Sequence, residues 1–199
     1  MPGLLAQEGD AEQVLLEVAM HGQGMKDFHA DFRFATHATN QNKQKRSGEI
    51  YYMDHKYVIL LEDLELYIDG SSQWIYFPKD NQVIITDYEV GGTNVMELFF
   101  QIFAHKTYSE HLKQEMHAGQ LCDKLRIIVE DLPTLTFKEV YVWVGRYPRM
   151  FQKAIFLDNR HNSTIFELIG IQTNRGMSLQ DFQFDVSDYP GITIIDQRG

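Results

Sequence analysis

The sequence predicts a mostly β, α+β chain: about eleven short strands in one antiparallel sheet, with helices over its apolar face. Three observations predict it. Apolar and polar side chains alternate through one short run after another, and turn residues bound each run. An Asp69-Gly70 turn joins two aromatic strands, with Tyr67 before it and Trp74 and Tyr76 after it. Two segments, one near the start and one in the middle, drop the period of two for helical spacing. A twisted antiparallel sheet of this width curls into a barrel or half-barrel. Helices that fill its face incompletely leave a dry cavity lined by Phe, Tyr and Trp, and such cavities take apolar ligands.

Element by element, Asp10 reads as an N-cap, followed by Ala11, Val14, Leu15 and Val18 at helical spacing and ended by Gly22 and Gly24. From Asp27 the period is two: Phe28, Ala30, Phe32 and Phe34 share one face, and His29, Asp31 and Arg33 the other. A polar loop over 39–47 leads to strands at 48–53, 56–61, 64–69, 72–77 and 81–86, the rhythm of a meander. After Gly91-Gly92, the residues Val95, Met96, Leu98, Phe99, Phe100, Ile102 and Phe103 crowd into about three helical turns. They cover more than one stripe, so this helix is either buried core or a movable lid. The segment 108–117 fits helix or strand. Strands resume over 124–130, where Leu125, Ile127 and Val129 alternate with Lys124, Arg126 and Glu130, and continue at 137–144, 150–157 and 164–171. The tail carries Phe182, Phe184, Tyr189-Pro190-Gly191 and a last strand at 192–195.

At 199 residues the chain is read as one domain, 1–199, long enough to bury a core without staples. The net charge of −10, with Lys and Arg ungathered, excludes a nucleic-acid partner, which needs a positive footprint. The lone Cys122 excludes an intramolecular disulfide and reads as a small buried hydrophobe. No stretch reaches the apolar length of a membrane span. Residues 1–9 read as a disordered terminus or as a signal-peptide remnant ending in Leu4-Leu5-Ala6-Gln7.

Enzymatic chemistry is not expected, because nothing assembles a nucleophile, a base and an orienting group. His105, His111 and His117 recur every six residues, and His111 with Glu115 fits one helical face if 108–117 is a helix. No HExxH pattern or nearby Cys closes a metal site, so neither metal nor cofactor is expected. Gly91-Gly92 lacks the Lys-Ser/Thr of a P-loop, and no G-x-S-x-G elbow is present.

Four pieces in order resemble the periplasmic outer-membrane lipoprotein carrier family of the LolA type. Phe28-His29-Ala30-Asp31-Phe32 resembles its first strand, Gly48-Glu49-Ile50-Tyr51 its second, and Asp69-Gly70 through Trp74, Tyr76 and Pro78 its hairpin. Phe182-Gln183-Phe184, Tyr189-Pro190-Gly191-Ile192 and Asp196-Gln197-Arg198 resemble its C-terminal signature. The resemblance implies an unclosed antiparallel barrel of about eleven strands with helices over a concave apolar face. It implies a monomeric periplasmic carrier that shields the acyl chains of lipoproteins. An inner-membrane ABC transporter would supply the cargo, and an outer-membrane acceptor would receive it. Burying one methylene is worth about 0.8 kcal/mol, so an acyl chain left in water is costly.

On this reading the acyl cavity is lined by Phe32, Phe34, Ile50, Tyr52, Trp74, Tyr76, Phe99, Phe103, Val142 and Val144, with Tyr141 and Trp143 on the opposite face of their strand. Many members carry an Arg-Pro step after the second strand. Here the stretch reads Tyr52-Met53-Asp54-His55-Lys56, and Lys56 lacks the planar fork of Arg. Two alternatives stand beside the carrier. One is a carrier of another lipid or glycolipid on the same fold. The other is a lipid sensor, which expects a second domain that 199 residues are too few to include.

Overall fold

The computed structural model describes residues 2–37, 44–88, 106–129, 137–160 and 162–199. Among them are one α-helix, α1 (Pro2–Gly24), and twelve strands. The strands are β1 (Asp27–His37), β2 (Gln44–Met53), β3 (Lys56–Leu61), β4 (Glu65–Ile68), β5 (Ser72–Phe77), β6 (Gln82–Asp87), β7 (Lys106–His117), β8 (Gln120–Val129), β9 (Phe137–Gly145), β10 (Phe151–Asp158), β11 (Ser163–Thr173) and β12 (Thr193–Asp196). They form one sheet in the order β12-β6-β5-β4-β3-β2-β1-β11-β10-β9-β8-β7. The end strands β12 and β7 are not paired with each other, so the sheet is unclosed, as expected. The apolar segment 95–103 lies outside the described residues, and with it the choice between core helix and lid.

The helix begins at Pro2, eight residues before the expected cap, so Asp10 sits in its interior. Leu4, Leu5, Ala6, Gln7 and Glu8 are good helix formers, and Pro is favoured in a first turn. The ambiguous segment 108–117 is strand β7, paired with β8. That register sends His111 and Glu115 to opposite faces, which removes the shared helical face.

The chain divides into two compact units. The first takes Met1–Gly24, Arg33–Arg46 and Gly91–Ile169. Its strands β7 to β11 form antiparallel ladders. Register aligns Leu125, Val142, Ala154 and Phe166 in one row across four strands, and all four are fully buried. The next row, Ile127, Val140 and Phe156, is buried as well. The opposite face carries Lys124, Trp143, Lys153 and Glu167 in a row. The Lys124 and Lys153 ammonium groups stand 4.5 and 5.1 Å from the Trp143 ring, and Glu115 accepts the indole N–H at 2.6 Å. These long side chains bury Trp143 on the polar face by covering it with their stems and heads.

The second unit takes Met25–Phe32, Ser47–Val90 and Gly170–Gly199. Here β2 to β6 form an antiparallel meander, and β12 runs parallel to β6. The turn between β2 and β3 places Asp54 and His55 at φ 45° and 62°, the left-handed pair that a two-residue hairpin requires. Between β4 and β5, Gly70 takes φ 97°, and Asp69 Oδ1 accepts the Ser71 and Ser72 backbone N–H groups at 2.9 Å each. Asp27 is almost completely buried, and its carboxylate accepts the backbone N–H groups of Arg175, Gly176 and Met177 at 2.6, 3.0 and 3.1 Å. A buried carboxylate is tolerable only with such a set of donors, and these tie the C-terminal segment to the start of β1.

Candidate ligand-binding site

The expected cavity residues divide by strand face. In the second unit, the register Ile50–Ile59–Leu66–Ile75 defines one face and Tyr51–Val58–Tyr67–Trp74 the other. Ile50 is fully buried and Phe32 nearly so, while Tyr52 is half-buried and stacks on Phe28 at 5.3 Å. Trp74 and Tyr76 lie on the opposite face from Ile50 and Tyr52, so the six aromatic and aliphatic positions of β1, β2 and β5 do not share one surface. Trp74 and Tyr76 pack beneath the C-terminal segment, where Tyr76, Val83, Ile85 and Phe184 form a core cluster joined by Trp74 and Tyr189. The Phe184 and Tyr189 rings stack at 4.5 Å, and each approaches Tyr76, at 5.4 and 4.5 Å. Alternation predicted that Trp74 and Tyr76 share a face; it did not show that a segment over a hundred residues later covers it.

In the first unit Val142 and Val144 are fully buried in the apolar face, and Phe34 is half-buried. Phe99 and Phe103 lie outside the described residues. Helix α1 buries Ala11, Val14 and Leu15 and packs along β7. Polar contacts join it to the sheet as well. Glu12 Oε1 accepts from Lys106 Nζ at 2.6 Å and from Ser109 Oγ at 2.5 Å. Those bonds, led by Lys106, hold the Glu12 carboxyl below the usual range.

One turn further on, Arg149 spans helix and sheet. Its Nε donates to Glu17 Oε2 at 2.8 Å and its Nη1 to Asp123 Oδ2 at 2.7 Å. Asp123 also accepts from His111 Nε2 at 3.0 Å and from Gln114 Nε2 at 2.8 Å. Burial pushes the Asp123 carboxyl upward, but the bonds from Arg149, His111 and Gln114 outweigh it and leave it lowered. The Arg149 side chain is the planar, forked cation that the stretch after the second strand lacks. Lys56, in the turn after the second strand, contacts Asp54. Neither Arg149 nor Asp123 was singled out from the sequence. The signal was Asp123 itself: it continues the buried phase of Leu125, Ile127 and Val129, a carboxylate where an apolar residue belongs.

Beside this clamp lies a cleft of about 740 Å³. It is lined by α1 (Asp10, Gln13, Val14, Glu17, Met20, His21), by His111 and Gln114 of β7, by Asp123 of β8, and by Arg146, Tyr147 and Arg149 after β9. Its wall mixes charged side chains with Val14, Met20 and Tyr147, unlike the apolar rows of the sheet.

No protein-family model matches the chain, and no curated protein matches it in sequence. Solved structures do. An uncharacterized conserved protein from Thermus thermophilus matches with a TM-score of 0.61 at 9% identity, covering 94% of this chain and 98% of that one. MucB in the Pseudomonas aeruginosa MucA/MucB complex matches with 0.55 at 15% identity, over 88% of this chain but only 61% of that one. Lipoprotein LppX from Mycobacterium tuberculosis matches with 0.51 at 11% identity, over 84% and 96%. At these identities the likeness is one of fold alone: the chain shares with these proteins an unclosed, mostly antiparallel sheet with a helix.

Proposed function

We propose that the chain is an extracytoplasmic carrier that shields the acyl chains of lipoproteins and moves them through the periplasm from the inner to the outer membrane. The observation that carries this reading is the unclosed sheet with apolar rows in the first unit, where α1 packs along β7 and makes ionic contacts. Displacing α1 would break these ionic contacts and uncover Ala11, Val14 and Leu15, apolar surface that an acyl chain could cover in their place. Phe32, Phe34, Ile50, Tyr52, Val142 and Val144, with Phe99 and Phe103, are the proposed acyl contacts. An inner-membrane ABC transporter and an outer-membrane acceptor are the proposed partners. MucB, solved with its partner MucA, keeps in view a second reading, a lipid-responsive binding protein.

The test is a release assay. Purified protein is added to spheroplasts of the source bacterium, and the supernatant is probed for lipoproteins in soluble complex with it. A one-to-one complex supports the carrier. Absence of any complex, with folded protein and normally secreting spheroplasts, moves the cargo to a free lipid or removes it.

A further inference from the structure

The cleft beside α1 is amphipathic: charged side chains share its wall with Val14, Met20 and Tyr147. Most of that wall is already satisfied. Glu17 and Asp123 are both engaged by Arg149, His111 and Gln114 donate to Asp123, and Gln13 donates to Glu17 at 3.2 Å. What remains is specific. Arg146 is an exposed guanidinium with no ion-pair partner among the described residues, and Asp10 is an exposed carboxylate in the same position. His21 lines the cleft and has a buried Nε2 with no hydrogen-bond partner among the described residues. Apolar surface sits at the same opening: Met20 and Tyr147 are 63% and 90% exposed. Val14 lines the cleft while also packing into the layer beneath α1, so the cleft adjoins apolar core.

One spare cation, one spare anion, an unpaired imidazole nitrogen and an apolar border are complementary to an amphiphile with a zwitterionic head. We propose that the cleft is a headgroup subsite for a phosphate ester bearing a primary ammonium, the phosphoethanolamine type. Arg146 pairs with the phosphate, for which its fork is suited. Asp10 accepts from the ammonium, whose three N–H donors a quaternary ammonium lacks. The ligand's tail extends toward Val14. The volume lies within the range of small-molecule sites, about 300–1,000 Å³. This inference deepens the lipid-carrier reading and rests on it for the tail alone.

The test is calorimetric titration of the full chain with dihexanoyl lipids below their micellar concentration. Four further probes are run: phosphatidylcholine, phosphatidylglycerol, dihexanoylglycerol as tail without head, and glycerophosphoethanolamine as head without tail. The expected order places phosphatidylethanolamine first. Arg146→Ala weakens both it and phosphatidylglycerol by about tenfold or more, and Arg146→Lys recovers part. Asp10→Asn weakens phosphatidylethanolamine alone and erases its advantage over phosphatidylglycerol. Both side chains are exposed, and unchanged thermal unfolding verifies that the variants fold. Equal binding of the three phospholipids, unaffected by either variant, overturns the subsite; binding of dihexanoylglycerol in that case leaves the carrier standing. Binding of glycerophosphoethanolamine without dihexanoylglycerol has the opposite meaning: the subsite holds and the acyl carrier fails.

Discussion

Replacing Arg149 with Met tests whether α1 is held to the sheet by the clamp. The Arg149 and Asp123 side chains are 16% and 5% exposed, so their 2.7 Å contact is largely withdrawn from water. Removing one member of such a pair leaves an uncompensated buried charge, which costs about 3–5 kcal/mol. His111 and Gln114 remain on Asp123, which places the expected loss toward the lower end. The Glu17 arm is 42% exposed and contributes at most about 1 kcal/mol. For a chain of this length the sum corresponds to a Tm lower by about 6–20 °C. Urea unfolding of Arg149→Met, Glu17→Gln and the double variant Asp123→Asn/Arg149→Met separates the contributions. Glu17→Gln is expected within about 1 kcal/mol of wild type, and the double variant recovers much of the loss because no lone charge stays buried. An Arg149→Met variant within about 1 kcal/mol of wild type would falsify the clamp.

Three other perturbations follow from the geometry. Glu12 and Asp123 both have folded carboxyls below their ordinary values, so their stabilisation is full above about pH 5.5, where the unfolded groups are ionised, and is lost as pH falls through the lower folded values. Unfolding followed from pH 7 to pH 2 should show that acid loss, shallower in Asp123→Asn; an identical slope would remove Asp123 from the account. Asp27→Ala strips the acceptor from three backbone N–H groups and is expected to cost about 3 kcal/mol, with faster amide exchange at Arg175, Gly176 and Met177 as the readout. In Gly48→Ala the new Cβ would run into the Leu60 carbonyl oxygen, a backbone atom that cannot rotate away. We expect a loss of about 2 kcal/mol or more in thermal unfolding, and a neutral variant would mean that β2 and β3 separate readily there.

Much of the fold was legible because it is local. The period of two along Phe28, Ala30 and Phe32, the Asp69-Gly70 turn and the alternation after Lys124 each depend on neighbours in sequence, and all appear as strands or turns. The segment 108–117 was not resolved, since polar residues such as Glu110, Lys113 and Glu115 suit an edge strand and a helix alike. Helix α1 was placed but begun late, because a cap-like Asp10 outweighed the helix-forming run before it.

The site was legible only in its chemistry. Apolar residues in number implied an apolar face. Which face is free depends on what covers it, and cover comes from distant sequence: Phe184 and Tyr189 close over Trp74 and Tyr76, and α1 lies along β7. The ionic clamp needed tertiary structure for the same reason, joining Glu17, Asp123 and Arg149 across 132 positions. The sequence by itself therefore determined the strands, their turns and the excess of apolar surface, because backbone preference and alternation act between near neighbours. Only the tertiary structure decided which surface is core, which is clamped and which is open, because burial and charge pairing are set by residues that meet only when the chain folds.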